Sequence, residues 1–214
     1  MSKPIIIIGQ QRSGTTALQS ALSQADGVRN FGEIFQFHRP LIEEVPHNFY
    51  YYLNHVRGEW KALTSADEAE AELVKYLEYL DSLAPGPYYI IDIKYNLWHQ
   101  FSPGWFNTFG RPFMLEHFKR MKVPIIHLVR KNIFRQYVSH EFAAQTQRWH
   151  YQNEQAEVPE IEPFEIDNED LAEYFEMVEG NEMIFRKRLA KYPQAVDLSY
   201  ETLFEGRSLS DRAQ

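Results

Sequence analysis

Ile5-Ile6-Ile7-Ile8-Gly9-Gln10-Gln11-Arg12-Ser13-Gly14-Thr15-Thr16-Ala17-Leu18 is the stretch that decides the fold. Four consecutive isoleucines read as a short buried strand ended by Gly9. Gly14 opens a helix whose apolar residues recur at Ala17, Leu18, Ala21, Leu22 and Ala25. A loop between a strand end and a helix start presents backbone N–H groups that have no intrahelical acceptor, and the helix dipole adds partial positive charge there. The joint is therefore an anion site suited to phosphate. Its two glycines let the backbone fold tightly around the anion.

The spacing Gly9-x4-Gly14 is that of a P-loop, but the nucleoside-triphosphate version continues with Lys and Ser/Thr. Here Thr15 and Thr16 follow Gly14, and a cation stands inside the loop instead, at Arg12. A backbone cradle, two hydroxyls and a guanidinium suit a nucleotide with fewer phosphates whose terminal group is transferred. An ordinary strand–turn–helix joint is the other reading; the full spacing and the lack of a bulky apolar residue in the loop speak against it. The run Gln11-Arg12-Ser13-Gly14-Thr15-Thr16 resembles the 5′-phosphosulfate loop of the sulfotransferases that use 3′-phosphoadenosine 5′-phosphosulfate (PAPS), above all their bacterial carbohydrate and tyrosylprotein branches. The resemblance implies that these residues bind the donor.

The chain of 214 residues is long enough for one α/β domain with a sizeable core, and a single domain over 1–214 is expected. Hydrophobic residues make up 44% and charged residues 24%, the balance of a globular protein. A net charge of −8 argues against a general nucleic-acid surface, so a nucleotide site must be a local basic pocket in an acidic protein. Without Cys there is no disulfide framework and no thiolate zinc site, and no His or carboxylate spacing reads as a metal site. That fits a reducing compartment, and a cytoplasmic location is expected. The first apolar run is too short for a signal peptide or a membrane span, so no transmembrane segment is expected. The 13 Tyr and 15 Phe read either as an aromatic core or as stacking walls for an adenine and an acceptor.

After the first helix, Asp26-Gly27 turns the chain into a short strand, Val28 to Phe31, with Gly32-Glu33 at its end. Ligands of open α/β sheets sit beyond the carboxyl ends of strands, so Glu33 faces the same crevice as Arg12 if the two strands are parallel. A carboxylate beside an anion site is costly unless it has a task, and taking a proton from an acceptor hydroxyl is such a task. The family resemblance implies the same role, because Gly32-Glu33 matches the place of its proposed base. A surface glutamate paired with a Lys is the alternative. Residues 36–62 read as a long loop with short helices, in which His38 and Phe49-Tyr50-Tyr51-Tyr52 either line an acceptor site or pack. Ser65-Ala66-Asp67-Glu68 is a capping box opening a helix to about Leu83, with Ala69, Leu73, Leu77 and Leu80 on one face. Tyr88 to Ile93 is a buried strand that delivers Lys94 to the carboxyl edge. Asp92-Ile93-Lys94 resembles the run in which Golgi and bacterial sulfotransferases carry a Lys, which implies a cation on the sulfuryl or bridging oxygens. Otherwise Lys94 pairs with Asp92 at the surface.

Residues 97–111 read as a loop carrying Trp98, His99, Trp105 and Phe106, and His99 is a second candidate base. Pro112 serves as the first residue of a helix to about Met121. Val123 to Val129 is a very apolar strand in which His127 reads as a core histidine. It ends in Arg130-Lys131-Asn132, and a helix carrying Ser139 follows to about Gln147. An Arg at a strand end with a Ser on the next helix resembles the family's 3′-phosphate site. There the guanidinium grips the phosphate bidentately and the hydroxyl closes the other side. Much of the family spaces the two by eight residues; Arg130 to Ser139 is nine and Lys131 to Ser139 is eight, so Arg130 is preferred with the register left open. The polar, Pro-containing segment 148–166 reads as a mobile loop, a lid or an acceptor-selecting element. A helix from about Asn168 to Tyr192-Pro193 is expected, with Gly180 as a break, then a strand Ala195 to Ser199. Tyr200-Glu201-Thr202-Leu203 resembles the Tyr-Glu-x-Leu run of bacterial sulfotransferases. The Gly-rich basic loop that cytosolic members carry near their C-terminus is not evident.

The expected fold is α/β and P-loop-like, a mainly parallel sheet flanked by helices. The resemblance implies transfer of the sulfuryl group of PAPS to a hydroxyl-bearing acceptor (sugar, lipid, peptide or small molecule), leaving adenosine 3′,5′-bisphosphate. Glu33 would take the proton, Arg12 and Lys94 would stabilise charge, and Gln11 to Thr16, Arg130 and Ser139 would hold the donor, with no metal. Two other functions stand beside it. A P-loop nucleotide kinase would place Asp92 on Mg²⁺ but lacks the Lys after Gly14. A non-catalytic nucleotide-binding protein on the same fold is separable only by turnover.

Overall fold

The structure, a computed structural model, describes residues 2–58, 65–98, 112–146 and 165–204. His99, Trp105, Phe106 and nearly all of the 148–166 segment lie outside the described residues. Five strands, β1 (Lys3–Gly9), β2 (Val28–Gly32), β3 (Tyr88–Lys94), β4 (Ile125–Val129) and β5 (Ala195–Ser199), form one sheet in the order β2-β3-β1-β4-β5. Every pairing is parallel. The three inner strands carry the continuous apolar runs and are buried on both faces, as parallel sheets require. The edge strands β2 and β5 are more accessible, with Arg29 and Asp197 exposed. Register Ile8↔Ile93 and Gly9↔Lys94 sets the end of β3 level with the start of the loop after β1.

The described helices are α1 (Thr15–Leu22), α2 (Arg39–Glu44), α3 (Phe49–Tyr51), α4 (Ala66–Leu83), α5 (Phe113–Arg120), α6 (Ile133–Thr146), α7 (Asn168–Leu189) and α8 (Tyr200–Phe204). A π-helical stretch, Tyr52–Arg57, extends α3, and a 3₁₀ turn, Tyr95–Leu97, follows β3. Alternation along β1 separates two cores. Ile6 and Ile8 face a large one built with residues of α4, α5 and α7 and the aromatics of α3, while Ile7 faces a smaller one with Leu18, Ile90 and Leu128.

Helix α4 shows how spacing becomes packing. Ala69, Leu73, Tyr76 and Leu80 are fully buried, and Ser65 accepts the Glu68 N–H at 3.2 Å to cap the first turn. Tyr76 takes the central place expected of Leu77, which is only partly buried; its hydroxyl donates to the His47 carbonyl at 2.6 Å. Two other expectations shift. Pro112 stands one residue ahead of α5, with ψ 126°, and is a cap rather than the first helical residue. Gly180 does not break α7, which runs unbroken from Asn168 to Leu189 with Val178, Phe185 and Leu189 buried. That packing offsets the cost of about 1 kcal/mol for a mid-helix glycine. Among the described residues no helix is long and apolar enough to cross a membrane.

Candidate functional site

Because the strands are parallel, Gly9, Gly32, Lys94 and Val129 all end at one edge of the sheet. A cavity of about 1100 Å³ opens there, and its wall includes Gln11, Arg12, Gly14, Thr15, Thr16, Glu33, Lys94, Arg130 and Ser139. Of the loop residues Gln11 to Thr16, Ser13 is missing from the wall. It is buried under the loop, where its hydroxyl donates to the Gln10 carbonyl at 2.7 Å and tightens the turn.

The loop is held in shape from the β4–α6 side. Arg12 sits at its crown with φ 64°, in the left-handed region that non-glycine residues rarely occupy. Arg12 Nε donates to Ser139 Oγ at 3.0 Å, Arg130 Nη1 donates to the Arg12 carbonyl at 3.2 Å, and Gln136 Nε2 donates to the Gln11 carbonyl at 2.9 Å. Two loop carbonyls are thus taken up by side chains of the neighbouring joint. The first N–H groups of α1, which lack intrahelical acceptors, are what the loop offers to an anion. Gly14 has φ 91°, and a Cβ there would lie 2.4 Å from the Tyr200 ring, so no other residue fits. The same ring lies under the Arg130 guanidinium, 4.8 Å from its centroid, and forms part of the cavity wall.

This geometry bears on the basic pair after β4. Arg130 lines the cavity, whereas Lys131 is exposed and does not. The Lys131 and Asn132 N–H groups donate to the Glu201 carboxylate at 3.1 and 3.0 Å. Burial pushes the Glu201 carboxyl up, but those N–H groups and the Arg130 charge hold it below its ordinary value. The Tyr200-Glu201 pair therefore has two jobs: the ring walls the cavity, and the carboxylate anchors the start of the segment that carries Arg130 and Ser139.

On the opposite wall, β3 delivers a buried charge cluster. Lys94 Nζ donates to Asp92 Oδ2 at 2.7 Å and to Thr15 Oγ1 at 2.5 Å, and pairs with Glu33 Oε1 at 3.3 Å. Lys94 and Asp92 are both buried, so the surface ion pair considered for them is an interior one. Burial pulls Lys94 down, but the two carboxylates outweigh it and the ammonium is held above its ordinary value. Burial pushes Asp92 up, Lys94 opposes this, and Glu33 adds to it. Asp92 Oδ2 also takes Gln19 Nε2 at 2.6 Å, and its Oδ1 has no partner. All three Lys94 donors are committed, and Glu33 is the longest of the partners. Glu33 is fixed by Lys94 on one oxygen and by Gln36 Nε2 on the other. Asp92, which a kinase would place on its metal, is sealed behind Lys94 and is not part of the cavity wall. Gln36 and His38, between β2 and α2, and Leu41 of α2 complete the wall beside Glu33.

The cavity joins three cationic side chains, a backbone anion cradle and, among the described residues of its wall, one carboxylate. Such an arrangement can hold an anionic donor and accept a proton at a single point. A model of the sulfotransferase family matches residues 4–206, nearly the whole chain. No curated protein matches it.

Proposed function

The chain belongs to the sulfotransferase family, and on that premise we propose that it transfers the sulfuryl group of PAPS to a hydroxyl-bearing acceptor. The observation that carries the reading is the convergence of Arg12, Lys94 and Arg130 with the N-terminus of α1 on one cavity whose single carboxylate among the described residues is Glu33. The donor's two anionic ends match this set. The 5′ end fits the loop, where N–H groups of Gly14 to Thr16 and the Arg12 side chain meet. The 3′-phosphate fits Arg130 and Ser139, with Tyr200 beneath the guanidinium.

In this reading the acceptor oxygen forms a bond to sulfur as the bond from sulfur to the 5′-phosphate oxygen breaks in line, and the electron pair leaves with that phosphate. Glu33 receives the acceptor's proton, held in position by Gln36 and Lys94. Protonation of Glu33 removes one of the two charges facing Lys94. The ammonium then has a donor to turn toward charge on the leaving side, while Asp92 and Thr15 keep it in place. Arg12 and the loop N–H groups stabilise the same charge without reorganisation, which is how positioned dipoles and cations lower such barriers.

Thermal shift with adenosine 3′,5′-bisphosphate, MgATP and adenosine 5′-monophosphate tests the donor. At about one hundred times its Kd the bisphosphate should stabilise the fold by about 2.7 kcal/mol, a rise of roughly 5–10 °C for a chain of this size. Equal or greater stabilisation by MgATP would favour the kinase. Binding of the bisphosphate with no sulfated product from any acceptor, read by mass spectrometry, would leave a nucleotide-binding protein without transfer.

A further inference from the structure

A second pocket, of about 320 Å³, lies directly beyond Glu33. It shares Thr16, Glu33, Gln36 and Leu41 with the large cavity, so Glu33 stands in the partition between the two. Resting on the donor reading above, we propose that this side pocket is the acceptor subsite and that it takes an uncharged, single-ring hydroxyl compound.

Position comes first. An acceptor seated in the pocket reaches the loop across the rim shared by Thr16, Gln36 and Leu41, with its hydroxyl beside Glu33 and turned to the sulfuryl group. The oxygen then forms its bond to sulfur, the bond to the 5′-phosphate breaks, and the proton passes to the carboxylate at its side. Size comes second. Cavities for drug-sized ligands run from roughly 300 to 1,000 Å³, and this one is at the small end, room for one ring and its substituents.

Charge decides the class. Among the described residues no Lys or Arg lines the pocket, and Glu33 is the one charged residue of that lining. The wall is made by Phe31, Leu41, Val45 and the His47 ring, whose centroid is 5.2 Å from that of Phe31. Burial and the nearby Arg29 hold His47 below its ordinary value, which keeps the ring neutral at pH 7. Arg29 itself stands over Phe31, 5.8 Å from the ring centroid, and is not part of the lining. The Asn48 side chain is engaged at both ends: Oδ1 accepts the Tyr50 N–H at 2.8 Å and Nδ2 donates to the Gln36 carbonyl at 3.0 Å. A carboxylate or sulfate on the acceptor would therefore face Glu33 with no Lys or Arg among the described lining to pair with it. A neutral ring finds a flat aromatic face, two aliphatic side chains and the hydroxyl of Thr16.

The test pairs acceptors that differ in one charge: methyl glucoside against methyl glucuronide, and 4-hydroxyphenylacetamide against 4-hydroxyphenylacetate. The first pair probes a sugar ring and the second an aryl ring. Transfer by the wild type should favour the neutral member of at least one pair by tenfold or more in kcat/KM, roughly the cost of one uncompensated like-charge contact. Val45→Lys, which puts an ammonium into the side pocket, should narrow that preference by about tenfold; Val45→Met, uncharged and of similar length, should leave it in place. Bisphosphate affinity is measured on each variant and should not change. Equal or greater use of the anionic members by a protein that binds the bisphosphate and transfers sulfate overturns this inference and leaves the donor reading standing. So does failure of every neutral compound to be sulfated by a protein that sulfates larger acceptors. A protein that binds no bisphosphate overturns the donor reading and this inference with it.

Discussion

Two ionic clusters sit on strands of the sheet with β1 between them, and they differ in setting although both are densely bonded. The first is Lys94 with Asp92, Glu33, Thr15 and Gln19, at the carboxyl end of β3. The second is His127 on β4, bonded to the Tyr95 hydroxyl and to Asp197 of β5 at 2.6 Å each, with Arg186 of α7 on the other Asp197 oxygen at 2.9 Å and Glu182 beside it. Hydrogen-bond quality does not separate them. Position does. The first ends on the 1100 Å³ cavity through its longest contact, Lys94 to Glu33 at 3.3 Å. The second lies mid-strand, where His127 is level with Ile8, and its outer members, Arg186 and Asp197, are about half-exposed to solvent. A buried charge cluster is placed for chemistry where a parallel sheet lifts it to the edge at which ligands collect. Elsewhere the same residue types hold strands and helices together.

The sharpest way to break the contrast is Glu33→Gln. The amide keeps shape and hydrogen bonding but accepts no proton at neutral pH. Transfer should fall by about 10²–10⁴, the share of general base catalysis, while bisphosphate affinity measured by calorimetry stays near wild type. A variant with full activity would make the first cluster as structural as the second. His99, outside the described residues, would then be the base to test, by His99→Ala.

Next in size is Arg12→Ala, for which a loss of roughly 10²–10³ in transfer is expected, the scale for removing one charge-stabilising donor. Its partner Ser139 separates binding from chemistry, because Ser139→Ala removes the bond to Arg12 Nε and leaves the cation. If Arg12→Ala transfers sulfate at the wild-type rate, the loop's cation is not at the reacting group. Smaller again is the effect expected of Arg130→Ala. It should reduce the preference for adenosine 3′,5′-bisphosphate over adenosine 5′-monophosphate by about 1.5–3 kcal/mol, or ten- to a hundredfold and slightly more. An unchanged preference would move the 3′ site to Lys131, against its exposed position and the tie of its N–H to Glu201.

The elements that were legible in the sequence are those whose placement is local. A strand of four isoleucines, a glycine-bounded loop and a helix start specify an anion site by themselves. Once the sheet is parallel, Glu33, Lys94 and Arg130 follow, because each stands at a strand's carboxyl end. What stayed hidden depends on neighbours far along the chain. Tyr200 closes on Gly14 because β5 is laid beside β4, and strand order is not written in any local period. Gln36 and Leu41 stand close to Glu33 in the chain, but the segment after β2 has no apolar periodicity, and it offered His38 for an acceptor site without fixing where it faces. Gly180 was misread for the opposite reason: a local propensity rule pointed to a break, and packing of Val178, Phe185 and Leu189 overrode it. Tyr76 entered the core ahead of Leu77 because the 69, 73, 76, 80 spacing matters more than residue polarity when the hydroxyl finds a carbonyl.

The smallest expected effect belongs to the second cluster, and it should appear in stability alone. Burial raises the Glu182 carboxyl to about 7; Arg186 opposes this, and Asp197, Glu179 and Glu201 add to it. A raised carboxyl holds its proton in the native state between the ordinary 4.5 and about 7, where the unfolded chain has released it. Its contribution is therefore complete below 4.5 and is lost as pH rises through 7. His127 runs the other way: burial outweighs Asp197 and holds the imidazole below 6.5, so its contribution is present above 6.5 and lost as pH falls through the lowered value. Glu182→Gln removes the first titration and leaves the second. Relative to wild type it should gain roughly 1–2 kcal/mol between pH 5 and pH 8, a difference of about 2–8 °C in Tm, after allowance for solvent screening. Its transfer rate at pH 7 should not change. A Tm difference that stays flat from pH 5 to 8 would show that Glu182 is already ionised in the fold, paired with Arg186. A fall in transfer at constant bisphosphate affinity would show that the mid-strand cluster reaches the cavity after all, and the distinction drawn from position would have to be given up.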